Sequence, residues 1–125
     1  MASHTQIQAF TKQLKEKDNT NIAEFLTKIG KIFRVKDPNT IDHETILRTS
    51  ELLTKIHEKL VESGDDNFTE DIELYLIECK ADSYVLRDDL NNKNIGKNFY
   101  MGIPILGRKI IKLANLLSIF GITLL

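Results

Sequence analysis

The C-terminal end of the chain is the feature that most constrains its fold. Residues 113–125 read LANLLSIFGITLL without a single charge, and they follow the basic residues Arg108, Lys109 and Lys112. A helix that begins amphipathic and becomes apolar on all sides has to be covered. The centre of a helical bundle, a protein partner and a lipid interface are the three settings that would cover it.

The predicted last helix follows a loop over residues 91–103. It begins at Pro104, which suits the first turn of a helix. Six apolar residues spaced by three and four positions share one side of it: Leu106, Ile110, Leu113, Leu117, Phe120 and Leu124. The candidate interaction or lipid-facing residues lie elsewhere on this helix: Arg108, Lys109, Lys112, Leu116, Ile119 and Ile122. The uncharged run corresponds to about 20 Å of helix, which is shorter than a bilayer core of roughly 30 Å.

The composition predicts an all-α fold. The chain has 125 residues, of which 42% are hydrophobic and 28% charged, as in an ordinary globular domain. Two prolines and six glycines provide few of the tight turns that an all-β fold needs. We expect a single domain over residues 1–125, a compact bundle of about five helices with the apolar C-terminal helix at its centre.

Four further helices are predicted before the last one, from apolar residues that recur at helical spacing: residues 5–17, 22–33, 42–62 and 69–90. Thr20 or Asn21 is expected to cap the second helix, and Pro38 to end it. Gly64 suits the left-handed residue that closes the third, and Thr69 suits the cap of the fourth. The sequence contains no internal repeat and no linker.

Charge is distributed unevenly along the chain although the net charge is only −1. Residues 1–36 carry +4, residues 37–90 carry −10 and residues 91–125 carry +5. The internal interpretation is that oppositely charged helices pack as neighbours. The functional interpretation is that basic faces meet anionic lipid or nucleic acid while the acidic face meets a basic partner.

No catalytic, cofactor-binding or metal-binding motif is found in the sequence. Cys79 falls on the apolar stripe of the fourth helix, which predicts a core residue. His4, His43 and His57 share no helix face, and we expect them at the surface or its boundary. The acidic run over residues 65–71 lacks the glycine and the final glutamate of a calcium loop. The sequence therefore predicts a protein that is not an enzyme and has no cofactor.

Two classes of function remain. The first is a non-enzymatic protein–protein interaction module (an adaptor, inhibitor or regulatory domain) that presents a groove or a charged face to a protein partner. Self-association through the C-terminal helix is one form of it. The alternative is a membrane-active bundle whose helix over about residues 104–125 engages an anionic membrane surface. Nucleic acid is a disfavoured partner because the acidic middle of the chain repels a polyanion.

The expected location is intracellular. Residues 1–17 are polar and amphipathic where a signal peptide needs an unbroken apolar stretch. A single cysteine does not suit a secreted disulfide scaffold. We expect a cytoplasmic protein, peripheral to a membrane if the lipid-binding alternative holds.

Overall fold

The structure, a computed structural model, describes residues 3–16 and 21–122, with side chains over 5–14 and 21–122. In this part of the chain every regular element is a helix, and there is no strand. Its elements are α1 Ser3–Glu16, α2 Ile22–Phe33, a 3₁₀ turn Pro38–Thr40, α3 His43–Ser63, α4 Glu70–Asn91 and α5 Lys97–Ile119. The predicted all-α bundle of five helices is confirmed.

Local chemistry sets several helix boundaries where the sequence predicts them. The Asn21 side chain accepts a hydrogen bond of 3.1 Å from a backbone N–H in the first turn of α2. Asp42 accepts one of 3.0 Å at the start of α3. Gly64 ends α3 with a φ of 64°, the left-handed conformation that glycine adopts without strain. Thr69 precedes α4 as expected, but its side chain makes no capping hydrogen bond. Thr20 lies outside the described residues.

The helices enclose one core. α2 packs along α5, α5 along α4, α4 along α3 and α3 along α1. Buried apolar side chains from every helix meet between them, among them Ile7, Leu26, Leu53, Leu76 and Ile110. The apolar stripes that predicted the helices are thus the stripes that form the core.

The prediction that the last helix begins at Pro104 is wrong, because α5 begins at Lys97 and contains this proline. A proline inside a helix costs about 3 kcal/mol through its missing N–H and the clash with the preceding turn. Phe99 and Ile103, four residues apart in the first two turns, are both buried. Burying two such side chains contributes about 3–6 kcal/mol, which outweighs that cost.

The end of α5 is also earlier than predicted. Gly121 has a φ of 64°, its N–H donates to the Ser118 carbonyl, and the N–H of Ile122 donates to the Leu117 carbonyl at 2.9 Å. These two bonds form a Schellman motif, which closes a helix with a left-handed glycine. Ile122 and Leu117 are both buried and make the apolar pair that accompanies this motif. The expected continuation of the helix over residues 123–125 lies outside the described residues.

The expected position of the last helix at the centre of the bundle is not confirmed. α5 packs mainly along α2 and α4 and keeps one side in solvent. Residues on the solvent side recur at helical spacing: Asn98, Met101, Ile105, Arg108, Lys112, Asn115 and Ile119. α5 is therefore a helix with one buried and one exposed side.

Two glycines set the closest approach between helices, where α2 crosses α5. A Cβ atom on Gly30 would lie 2.4 Å from the Ile111 side chain. A Cβ atom on Gly107 would lie 2.9 Å from the Cβ of Phe33 and 3.0 Å from the Gly30 carbonyl oxygen. Only residues without a Cβ atom fit at this crossing, and it fixes the position of α5 in the bundle.

Candidate interaction surface on the last two helices

α4 carries apolar side chains on two opposite sides. Its inner side is buried in the core through Ile72, Leu76, Cys79 and Leu86. Its outer side presents Leu74, Ile77 and Val85, which are exposed, with Val85 at 59% and Leu74 at 54%. Single exposed apolar residues are ordinary on a protein surface. These three lie along one helix and do not belong to the core.

α5 continues this apolar surface across a groove. Met101 and Ile105 are exposed on its solvent side. The groove has a volume of about 290 Å³ and is lined by Asp82, Val85, Leu86, Asp89, Asn98, Gly102, Ile105 and Lys109. A Cβ atom on Gly102 would lie 3.3 Å from the Leu86 side chain, so the glycine keeps the groove open between the helices. We call the exposed apolar residues of these two helices the α4–α5 face: Leu74, Ile77, Val85, Met101 and Ile105. Of these, Val85 and Ile105 line the groove.

Lys109 joins the two helices beside this face. Its ammonium group donates to Glu78 at 2.8 Å and to Asp82 at 2.7 Å. The hydrogen bonds to Asp82 and then to Glu78 raise the pKa of Lys109 above its ordinary value. A basic residue from the C-terminal third of the chain thus pairs with two carboxylates of the acidic middle, which is the kind of contact that the internal interpretation of the charge pattern predicts.

The other two basic candidates are exposed. Arg108 is exposed and belongs to no ion pair among the described residues. The ammonium group of Lys112 lies 5.2 Å from the centre of the Tyr75 ring on α4, a cation–π contact. Of the three basic residues predicted as candidates, Lys109 is engaged within the chain, while Arg108 and Lys112 are accessible to a partner.

The three apolar candidates have three different environments. Ile119 is 75% exposed at the last residue of α5, and Leu116 is half-buried. Ile122 is buried as part of the helix end, so it does not belong to an exposed surface. Phe120, which the sequence assigns to the core stripe, is exposed at 49%. Because α5 ends at Ile119, helical spacing no longer predicts which of the following residues, Phe120 and Ile122, is buried.

Cys79 is buried as predicted. Burial raises the pKa of its thiol to about 12, with a smaller contribution from the negative charge of Asp82. At neutral pH the side chain is therefore a protonated thiol in the core. It lacks the thiolate character that a nucleophile or a metal ligand needs.

A polar contact between α3 and α4 is not apparent in the sequence. The Nε2 atom of His57 lies 2.8 Å from a carboxylate oxygen of Glu73, and its Nδ1 atom lies 3.0 Å from the ammonium of Lys80. The Nε2–H tautomer satisfies both contacts, because it donates to the carboxylate and accepts from the ammonium. His43 is exposed and meets the Phe99 ring edge-on. The side chain of His4 lies outside the described residues.

The described ranges contain no group of three His, Cys, Asp or Glu side chains placed to hold a metal ion. None of the helices in them has the length and apolar character needed to cross a bilayer. Neither protein families, nor curated proteins, nor solved structures gave a match to this chain.

Proposed function

We propose that this chain is a non-enzymatic protein–protein interaction module and that it binds its partner through the α4–α5 face. The observation that carries the proposal is the two-sided apolar character of α4. Leu74, Ile77 and Val85 lie outside the core and leave 41–59% of their surface in water. A binding surface, in contrast, gains stability when such side chains leave water.

The geometry of the face suits a partner that presents a helix. An apolar groove between two helices accepts a row of side chains spaced by three or four residues. Charged residues border the groove: Asp82 and Asp89 lie on α4, and Lys109 lies on α5. An apolar centre with a polar border is the usual composition of a protein interface.

Photocrosslinking from single positions tests this proposal. A photoreactive amino acid replaces Val85 in one variant and Val61 in another, and both are expressed in cells as the full chain. Val61 is a matched control because it is 55% exposed but lies on α3. We expect a covalent protein adduct from position 85 and none from position 61. Equal labelling from both positions, or no adduct at all, would contradict the proposed surface.

The alternative function is binding to anionic lipid through the end of α5. The exposure of Ile119 and Phe120 favours it, since two large apolar side chains meet solvent on a helix whose only charges are basic. In this alternative, Arg108 and Lys112 supply the electrostatic attraction to the membrane surface. The buried position of Ile122 and the pairing of Lys109 leave fewer lipid-facing groups than the sequence predicts.

Co-sedimentation with neutral and anionic vesicles tests the alternative. Lipid binding through α5 predicts association with anionic vesicles only, reduced by salt and abolished in an Arg108→Glu, Lys112→Glu double variant. The control is Lys36→Glu, a charge reversal of an exposed residue outside α5. Equal binding by both variants, or no binding by the unaltered chain, would contradict it.

A further inference from the structure

We infer that the partner of the α4–α5 face is a second copy of this chain, held in a two-fold symmetric dimer; this inference rests on the proposed function. The face has an acidic half on α4 and a basic half on α5, and the boundary between them runs parallel to the helices. The sequence of α4 carries a net charge of −5, and that of α5 carries +4. A uniformly charged partner would match only half of such a face, whereas the face itself, turned by a two-fold axis, matches both halves.

The contacts between α4 and α5 fix which residues lie at the same height along the bundle. Lys109 reaches Glu78 at 2.8 Å, and Lys112 lies over Tyr75, so the two helices run antiparallel. A two-fold axis parallel to the helices keeps every height unchanged. It places α4 of one copy against α5 of the other, in the same relative direction as within a copy.

This arrangement pairs apolar with apolar residues. Val85 and Ile105 line the same groove, so they lie at similar heights. In the dimer, Val85 of each copy therefore faces Ile105 of the other, with Met101 one turn away. Packing α4 against α4 instead would oppose two acidic helices, and this charge repulsion selects the α4–α5 pairing.

Charged residues at the two ends of the face also become complementary. Asp71 and Asp88 on α4 and Lys97 and Lys112 on α5 are exposed, and among the described residues none of them pairs with a charge on another helix. By the Lys109–Glu78 and Lys112–Tyr75 contacts, Asp71 lies four residues, about 6 Å along the axis, from the height of Lys112 in the other copy. By the same contacts, Asp88 lies two residues, about 3 Å, from the height of Lys97. The two-fold axis produces each of these pairs twice.

The size of the face suits a dimer. Helices of 22 and 23 residues are each about 33 Å long at 1.5 Å per residue. With diameters of about 10 Å, the two helices present roughly 660 Å² to a partner. Stable interfaces bury about 800 Å² per partner, a similar area.

Two charge-reversal variants, one on each helix of the face, test the dimer. Variant one carries Lys97→Glu and Lys112→Glu, and variant two carries Asp71→Lys and Asp88→Lys. Neither variant changes Lys109, which hydrogen-bonds α5 to α4 within the chain. Circular dichroism checks that each variant is folded. We expect sedimentation equilibrium to give twice the 14.3 kDa chain mass for the unaltered chain and a single chain mass for each variant alone.

Mixing the two variants is the decisive step. In the mixed dimer, one α4–α5 contact keeps its original charges and the other has both members of each ion pair reversed. Every proposed pair again joins opposite charges, so we expect an equimolar mixture to regain the dimer mass. A mixture that stays monomeric, or variants that dimerise as the unaltered chain does, overturns the inference. If the unaltered chain is a monomer and position 85 crosslinks to a different protein, the dimer is overturned but the proposed interaction surface stands. The absence of any adduct from position 85 overturns the proposed function as well.

Discussion

Cys79 links the core to the pH dependence of stability. Its pKa is about 12 in the folded chain, against 9.0 for the ordinary thiol. The folded state therefore keeps a proton that the unfolded state releases above about pH 9. The stabilisation from this thiol is complete below that pH and is lost as the pH rises toward 12.

A Cys79→Ala substitution measures this effect. It removes buried apolar volume and destabilises the chain near neutral pH. Since the unfolded thiol ionises in the alkaline range, we expect the stability difference from the unaltered chain to shrink between about pH 7 and about pH 10. Urea unfolding at the two pH values gives the difference. A constant difference would contradict a raised pKa.

Lys109 is the residue on which the α4–α5 contact depends most directly. Lys109→Met removes its two hydrogen bonds and leaves Glu78 and Asp82 without their shared cation. We expect a loss of about 1 kcal/mol in the free energy of unfolding, which becomes smaller at high salt. Arg108→Met is the control, since this exposed residue belongs to no ion pair among the described residues. An equal loss in both variants would show that the bonds from Lys109 to the two carboxylates do not contribute to the free energy of unfolding.

At the scale of the helix, the crossing of α2 and α5 is the contact with least tolerance. In Gly107→Ala the new methyl group meets backbone and Cβ atoms at 2.9–3.0 Å, which cannot move aside as a flexible side chain can. We expect a loss of about 1–3 kcal/mol in the free energy of unfolding. Gly96→Ala is the matched control because its Cβ atom would meet nothing within 4 Å. Thermal unfolding of both variants tests this, and similar losses would exclude overpacking as the cause.

The helices also differ in how far the sequence predicts them. For α2 and α3, capping side chains and apolar spacing agree, and their boundaries follow from the sequence. For α5, the sequence places the start of the helix at Pro104 because a proline inside a helix costs a few kcal/mol. The burial of Phe99 and Ile103 outweighs this cost, and the helix begins earlier. Burial is a long-range property, so a rule based on neighbouring residues cannot evaluate it.

The candidate surface was only partly predictable for a related reason. The sequence indicates Arg108 and Lys112 on α5 through their place before the apolar run. It does not indicate Leu74, Ile77 and Val85, because they alternate with the core stripe of α4 and look like irregularities in it. The available signal was that α4 has apolar residues on every side although it carries seven acidic residues. The partners of Lys109 lie 27 and 31 residues away, and no local pattern indicates them.

At the scale of the whole molecule, the charge pattern of the sequence becomes a pattern of neighbouring helices. The acidic α4 packs beside the basic α5, and Lys109 uses part of that attraction within the chain. The remaining charges border an apolar face that the fold leaves open. In the proposed account, this face is covered by protein, and the first protein to cover it is another copy of the chain.

The most direct test of dimerisation through the α4–α5 face is sedimentation at several protein concentrations. It gives the molar mass of the unaltered chain, of Val85→Glu and of Val61→Glu. Both substitutions add one charge at a valine of similar exposure, 59% and 55%. The account predicts that the unaltered chain and Val61→Glu reach the dimer mass, while Val85→Glu stays a monomer because a carboxylate in an apolar interface loses its hydration. The same mass for all three proteins would contradict it.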